Sequence, residues 1–245
     1  MRTFPQIGIG AAAQFPFEKE IAYRTAVNSP RSAAQIVYAD PDYEERRWRL
    51  PLQSLTDEEW QLIEDLFTDA CGRFGSFVFL EPGSNLLSWS KDLTDPVWAA
   101  STLTITGEQQ DPSGSPGAWL LSSSGPGALS QTLAAPSNFV YSGSCSIRTE
   151  EPGVQLCLRD ESIVQSVEPV AADGTWRRYE VALQGAPGGE SVTFEISLPA
   201  GATAEVFGPQ LEGQASASLY KPTTGQAGLF SFTRFDQDRL PDRMI

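Results

Sequence analysis

The 245-residue chain carries 17 Lys and Arg against 31 Asp and Glu, a net charge of −14, and contains no His. That balance excludes a generic grip on nucleic acid, which needs a basic surface, and the missing His excludes Ser-His-Asp and Cys-His catalysis. Three scattered Cys form no zinc-ligand cluster, and no apolar run approaches the ~20 residues that span a membrane.

The start, Met1-Arg-Thr-Phe-Pro-Gln, lacks the apolar segment of a signal peptide, so synthesis in the cytosol is expected. Residues 1–45 read as β structure. Ile21 to Val27 and Gln35 to Tyr38 are short strand candidates. Asn28-Ser-Pro-Arg31 has turn composition, and so has Asp40-Pro-Asp-Tyr43.

From Arg46 to Pro82 the pattern reads strand, helix, strand. Trp48, Leu50 and Leu52 alternate. A helix over about 56–71 follows. Thr56 and Glu59 have the spacing of a capping box, and Asp57, Glu58 and Glu59 suit the positive end of the helix dipole. Trp60, Ile63, Phe67 and Ala70, with Leu66 beside them, form one buried stripe. Gly72 stands where a helix stops. Phe77 and Phe79 then alternate with Val78 and Leu80.

Those positions resemble the distal tail and minor tail proteins of long-tailed phages and the related proteins of gene transfer agents. The shared features are the aromatic and basic strand start (Trp48 to Leu52), the acidic capped helix (Leu55 to Phe67), Gly72-Arg-Phe74, and the aromatic strand ending at Pro82. The resemblance covers about the first third of the chain.

At Asn85 the character changes. Short strands follow at regular spacing: Leu103 to Ile105, Trp119 to Ser122, Leu129 to Leu133, Phe139 to Arg148, Val154 to Arg159, Trp176 to Leu183, Val192 to Leu198 and Ala204 to Phe207. Gly125-Pro, Asp173-Gly174 and Gly188-Gly189 punctuate them. This reads as a β-sandwich, a jelly roll. The stretch is similar to the carbohydrate-binding-module-like jelly rolls of many phage tail and fibre proteins. The likeness rests on Asn85-Leu-Leu-Ser-Trp-Ser through Trp98, Leu129-Ser-Gln-Thr132, Gly174-Thr-Trp-Arg-Arg178, Phe207-Gly-Pro-Gln-Leu-Glu-Gly213 and Tyr220-Lys-Pro-Thr.

A last strand signal, Leu229 to Phe235, is too rich in Phe to stand alone in water, and the first domain is the expected partner. The fold class is therefore mainly β: a small antiparallel domain with one helix (1–84 and 220–245) and an inserted jelly roll (85–219). The sandwich segment is strongly acidic. Residues 86–219 carry 5 Lys and Arg against 15 Asp and Glu, and the rest 12 against 16. The flanks are thus more balanced and richer in Arg, as an interface would be.

Sites for chemistry are sparse. There is no P-loop, and Gly8-Ile-Gly10 lacks the acidic partner of a dinucleotide site. Asp40, Asp42, Glu44 and Glu45 have calcium-like spacing but lack the EF-hand Gly and Glu, so a solvated turn is favoured. Glu150-Glu151 and Asp160-Glu161 are read as hairpin-loop acids. Trp98, Trp119, Tyr141 and Trp176 could stack on sugar, with core or edge packing the favoured alternative. Cys145 and Cys157 are expected on neighbouring strands of one hairpin, Cys145 facing Leu158 and Cys157 facing Ser146, with all three Cys reduced. No catalytic residue, cofactor or metal ligand is expected, and no enzymatic activity. The first resemblance implies a structural virion protein, assembled in the host cytoplasm. It would form an oligomeric ring, commonly a hexamer, at the tail tip, with the tail tube and baseplate hub as partners. The alternative is a carbohydrate-binding module that recognises host-surface glycans without forming a ring.

Overall fold

The strongest alternation in the sequence sits inside the largest sheet. Val192, Phe194 and Ile196 point inward from a strand and are fully buried, with Leu198 close behind. Burying Phe194 alone contributes on the order of 2–3 kcal/mol. In the computed structural model, which describes residues 1–28, 35–161 and 165–240, twelve strands and one helix are defined among the described residues. Ser29-Pro-Arg31 of the first expected turn, and the last five residues of the expected C-terminal segment, lie outside that description. The architecture is mainly β with one helix, as expected. The chain forms two compact units, Ala13–Leu55 and Met1–Ala12 with Thr56–Ile245.

The smaller unit is an antiparallel hairpin of β1 (Glu18–Asn28) and β2 (Ile36–Arg49). Asp40-Pro-Asp-Tyr43 is not a turn between elements but lies inside β2. Tyr23 pairs with Glu44 and Thr25 with Ala39, so four β2 residues bulge opposite Arg24 alone. β2 stops at Arg49, short of the expected Leu52, because Pro51 has no N–H to offer a ladder.

In the larger unit α1 (Asp57–Asp69) begins with the expected capping box, Thr56 and Glu59 each accepting from the other's backbone. Backbone N–H groups of Thr56 and Gly8 hold the Glu59 carboxyl below its ordinary pKa. Ile63, Leu66 and Ala70 are buried. Gly72, at φ 63°, donates to Phe67 O and ends the helix. β3 (Phe77–Leu80) is buried on both faces. Val78 and Leu80 join the sandwich core, while Phe77 and Phe79 meet Phe4 at 6.1 and 5.9 Å between ring centres. Phe235 lies 5.0 Å from Phe67 of α1 and 4.9 Å from Phe77, tying helix to strand.

The jelly-roll-like sheet contains β4 (Ala99–Gln110), β5 (Pro116–Leu133), β6 (Val140–Arg148), β7 (Gln155–Asp160), β8 (Gln165–Pro169), β9 (Arg177–Gln184), β10 (Val192–Leu198) and β11 (Thr203–Glu212). The two strands expected at 119–122 and 129–133 are one. β5 runs through Gly125-Pro126, pairing with β11 over 119–122 and with β10 over 127–133. Its middle is where its partner changes from β11 to β10. There β4 is irregular at Thr102, which donates to Pro126 O at 2.7 Å. A Cβ on Gly127 would sit 2.6 Å from Ser101 O, so Gly is required by close backbone approach. The order β8-β7-β10-β5-β11-β6-β9 nearly closes, because β9 returns against β7 and β8.

The cysteine register differs from expectation. β6 pairs with β9 and β11, and β7 with β8 and β10, so the two strands form no hairpin. Residues 149–154 join β6 to β7, which are not sheet neighbours, and carry Glu150 and Glu151 with them. Cys145 stands opposite Tyr179, and Cys157 opposite Glu195 and Val167. The final strand, β12 (Leu229–Thr233), pairs with β3, which lies within the expected residues 1–84.

Candidate functional site

The β1–β2 hairpin is the feature that packing within the chain does not explain. A two-stranded hairpin is marginal alone in water, yet this one runs to 11 and 14 residues with both faces largely exposed. Period-two alternation puts Lys19, Ile21, Tyr23, Thr25 and Val27 on one face, opposite Trp48, Arg46, Glu44, Ala39 and Val37. Tyr23 is 68% exposed and Val37 59%. Tyr38 and Ile36 are exposed on the other face. That second face also carries Glu18 opposite Arg49 and Glu20 opposite Arg47. Arg49 donates to Glu18 at 2.8 Å. Among the described residues neither strand pairs with a third, so both outer edges are open.

Local chemistry stiffens this arm. Gln14 and Gln53 exchange two hydrogen bonds at its base, 2.8 and 2.9 Å. At the bulge Arg24 binds Asp40 through Nε at 2.9 Å and lies 4.8 Å over the Tyr43 ring. Tyr43 donates to Glu45 at 2.8 Å, and the tyrosine proton is held more tightly because the Glu45 carboxylate accepts it. Three of the four acids with calcium-like spacing are thus engaged, Asp40 by Arg24, Glu44 by Arg46 and Glu45 by Arg47. Among the described residues no group of three potential metal ligands converges.

The residues that carried the second resemblance form a latch that closes the sandwich. Asn85 is buried, and its amide meets three chain segments. Oδ1 accepts from Leu87 N and Leu211 N, both at 3.1 Å, and Nδ2 donates to Pro209 O at 3.1 Å and Lys221 O at 3.2 Å. Gln131, core-facing on β5, grips Ser88 N and O at 2.9 and 3.0 Å. Thr223 donates to Leu87 O at 2.6 Å, and Tyr220 OH lies 3.0 Å from Ser90 Oγ. Gln210 Oε1 accepts from Lys221 N at 2.7 Å. Gly208, at φ 63°, leaves room for the Tyr220 ring, 2.9 Å from where a Cβ would stand. Sequence reading found these motifs without showing that their polar atoms face one another.

The aromatic candidates divide. Tyr141 and Trp98 are core: Tyr141 donates to Pro136 O at 2.7 Å and Trp98 to Trp89 O at 3.1 Å. Trp119 packs against the core and donates to Lys91 O at 3.2 Å. Trp176 is half-buried with Arg148 5.0 Å over its ring, and its indole N–H is buried without a partner. Asp160 is not a loop acid. It ends β7, buried, and accepts from Ala186 N at 3.2 Å.

Burial pushes the Cys145 thiol up to about 12 and raises that of Cys157. Cys71 is exposed. A maleimide at pH 7.5 is therefore expected to label one thiol per native chain quickly and all three only after denaturation, counted by intact mass.

No family profile matches this sequence, and no curated protein matches it. Solved structures similar to it include tailspike protein 4 of bacteriophage CBA120, at 11% identity and a TM-score of 0.42 over 52% of this chain and 21% of that one. A xylan-binding CBM22-1 domain from Paenibacillus barcinonensis Xyn10C is similar at 16% identity and a TM-score of 0.41, over 56% of this chain and 99% of that one. TmCBM61, solved with β-1,4-galactotriose, is similar at 20% identity and a TM-score of 0.39, over 52% and 97%. The match spans about a fifth of the tailspike domain.

Proposed function

We propose that this chain is a structural tail protein of a phage or phage-like particle. It is a distal tail component that forms a ring, six-membered by family resemblance, at the tip of the tail tube and joins tube to baseplate hub or fibres. The observation that carries this reading is the β1–β2 arm, with open edges and exposed Ile21, Tyr23, Val27 and Val37. Such edges aggregate unless another strand covers them, and a ring of identical copies covers them all. In this reading residues 1–84 and 220–245 build the ring, the jelly roll 85–219 is the attached module, and the protein is not an enzyme. The reading outranks sugar recognition because Trp98, Trp119 and Tyr141 are committed to packing. Light scattering over a concentration series tests it. The expected result is a defined oligomer of about six copies, visible as rings by negative-stain microscopy, and a monomer at every concentration counts against it.

A further inference from the structure

Resting on the ring reading, the charge pattern of the arm says how copies meet. We infer that β2 of one copy pairs with β1 of the next, in the register that the two strands already use within one hairpin. In an antiparallel pair, residues whose N–H and C=O turn away from the partner stand opposite one another. The outward-turned residues of β2 are therefore matched, position for position, by outward-turned residues of β1. Repeating the hairpin sideways without changing its direction is compatible with the hydrogen-bond pattern.

The side chains favour the same repeat. On one face, Arg49 of one copy falls beside Glu18 of the next and Arg47 beside Glu20, so each row alternates in sign around the ring. On the other, Val37 extends the row of Val27, and Trp48 falls beside Lys19. Opposite charges across strands are favourable and like charges unfavourable. A two-fold contact between β1 edges over their full length sets Glu18 against Asn28 and Glu20 against Ala26, with no basic partner. A two-fold contact over Glu44–Arg49 of β2, centred on Arg46 or on Arg47, sets that arginine against its own copy. The head-to-tail repeat sets opposite charges across both edges, and where the rotation between copies closes it generates a ring rather than a dimer.

The test uses two full-length variants, Arg47→Glu/Arg49→Glu and Glu18→Arg/Glu20→Arg, alone and mixed one to one. Each alone places like charges across the joint and is expected to run as a monomer where wild type assembles. In the mixture every joint between unlike copies is again opposite in sign, so the wild-type mass returns. Assembly of either variant alone, or a mixture that stays monomeric beside an assembling wild type, overturns the register and leaves the ring reading intact. A wild type that never assembles overturns both.

Because each variant also opposes its own hairpin, a second pair reverses no charge: Glu18→Cys and Arg49→Cys, each in a Cys71→Ser background. Oxidation of the mixture is expected to give disulfide-linked dimers, and oxidation of either alone none. Dimers from Glu18→Cys alone, or none from the mixture, overturn the proposal.

Discussion

Deleting residues 14–54 and bridging Ala13 to Leu55 with a short Gly-Ser linker is expected to abolish assembly completely and leave the larger unit folded. The arm is a compact unit of its own, and most of its side chains are exposed. Its loss therefore removes little buried apolar area, and burial is what stabilises the rest. Gln14 and Gln53 hydrogen-bond across its base, so the two ends lie close enough for a short bridge. The main core, around Phe194, Ile196, Leu121 and Leu129, lies wholly outside the deleted segment. The midpoint of thermal unfolding, measured below the concentration at which wild type assembles, is expected to move by less than about 3 °C. Light scattering of the same sample reports a monomer. A deleted protein that still forms rings removes the arm from the interface, and one that unfolds shows the arm to be part of the core.

How much of this was legible in the sequence depends on which physical signal each residue carried. The helix was plain, because capping at Thr56 and a 3.6-residue stripe through Ile63 and Leu66 are local effects. The inward row Val192, Phe194, Ile196, Leu198 was equally plain, since a half-buried strand writes its period directly. Gly125-Pro126 misled, because a composition that usually makes a turn can also mark a bend within a strand. Asp40-Pro-Asp-Tyr43 misled in the same way, its extra residues being absorbed as a bulge. β8, with Ser166 and Glu168 between Gln165 and Pro169, carries almost no apolar pattern, and pairing with β7 alone reveals it. The Cys145 register failed because neighbouring strands in sequence were assumed to be neighbours in space.

The candidate site was less legible than the fold. Sequence shows that Glu18, Glu20, Arg47 and Arg49 exist, and that the flanks are rich in Arg. It does not show that these residues share one face of one hairpin, which depends on a register fixed only beyond the bulge. Exposure of Tyr23 and Val37 was invisible too, since the same alternation describes a strand whose second face packs on a core.

A large single-residue loss of stability is expected at Asn85→Ala. Its side chain is buried, and its amide satisfies four backbone groups from three segments: Leu87 N, Leu211 N, Pro209 O and Lys221 O. Truncation leaves two buried donors and two acceptors seeking partners. Each such orphan costs about 1–3 kcal/mol, and acceptors that find water through local relaxation lower the sum. A net loss of about 4 kcal/mol follows, on the order of 8–16 °C in melting temperature for a unit of this size. Leu and Asp replacements separate the causes. Leucine restores bulk but no hydrogen bonds and is expected to be no better than alanine. Aspartate keeps acceptors for Leu87 N and Leu211 N but turns a carboxylate oxygen toward Pro209 O and Lys221 O. Repulsion from those carbonyls raises its folded-state pKa above the unfolded value, so the protonated form is favoured in the fold. Stability of the aspartate variant is therefore greatest below the unfolded pKa and is lost as pH rises through the folded one. Wild type, with a neutral amide at this position, shows no such change from residue 85. If Asn85→Ala melts within about 2 °C of wild type, the latch is not what closes the sandwich, and the core alone holds the two ends of the segment together.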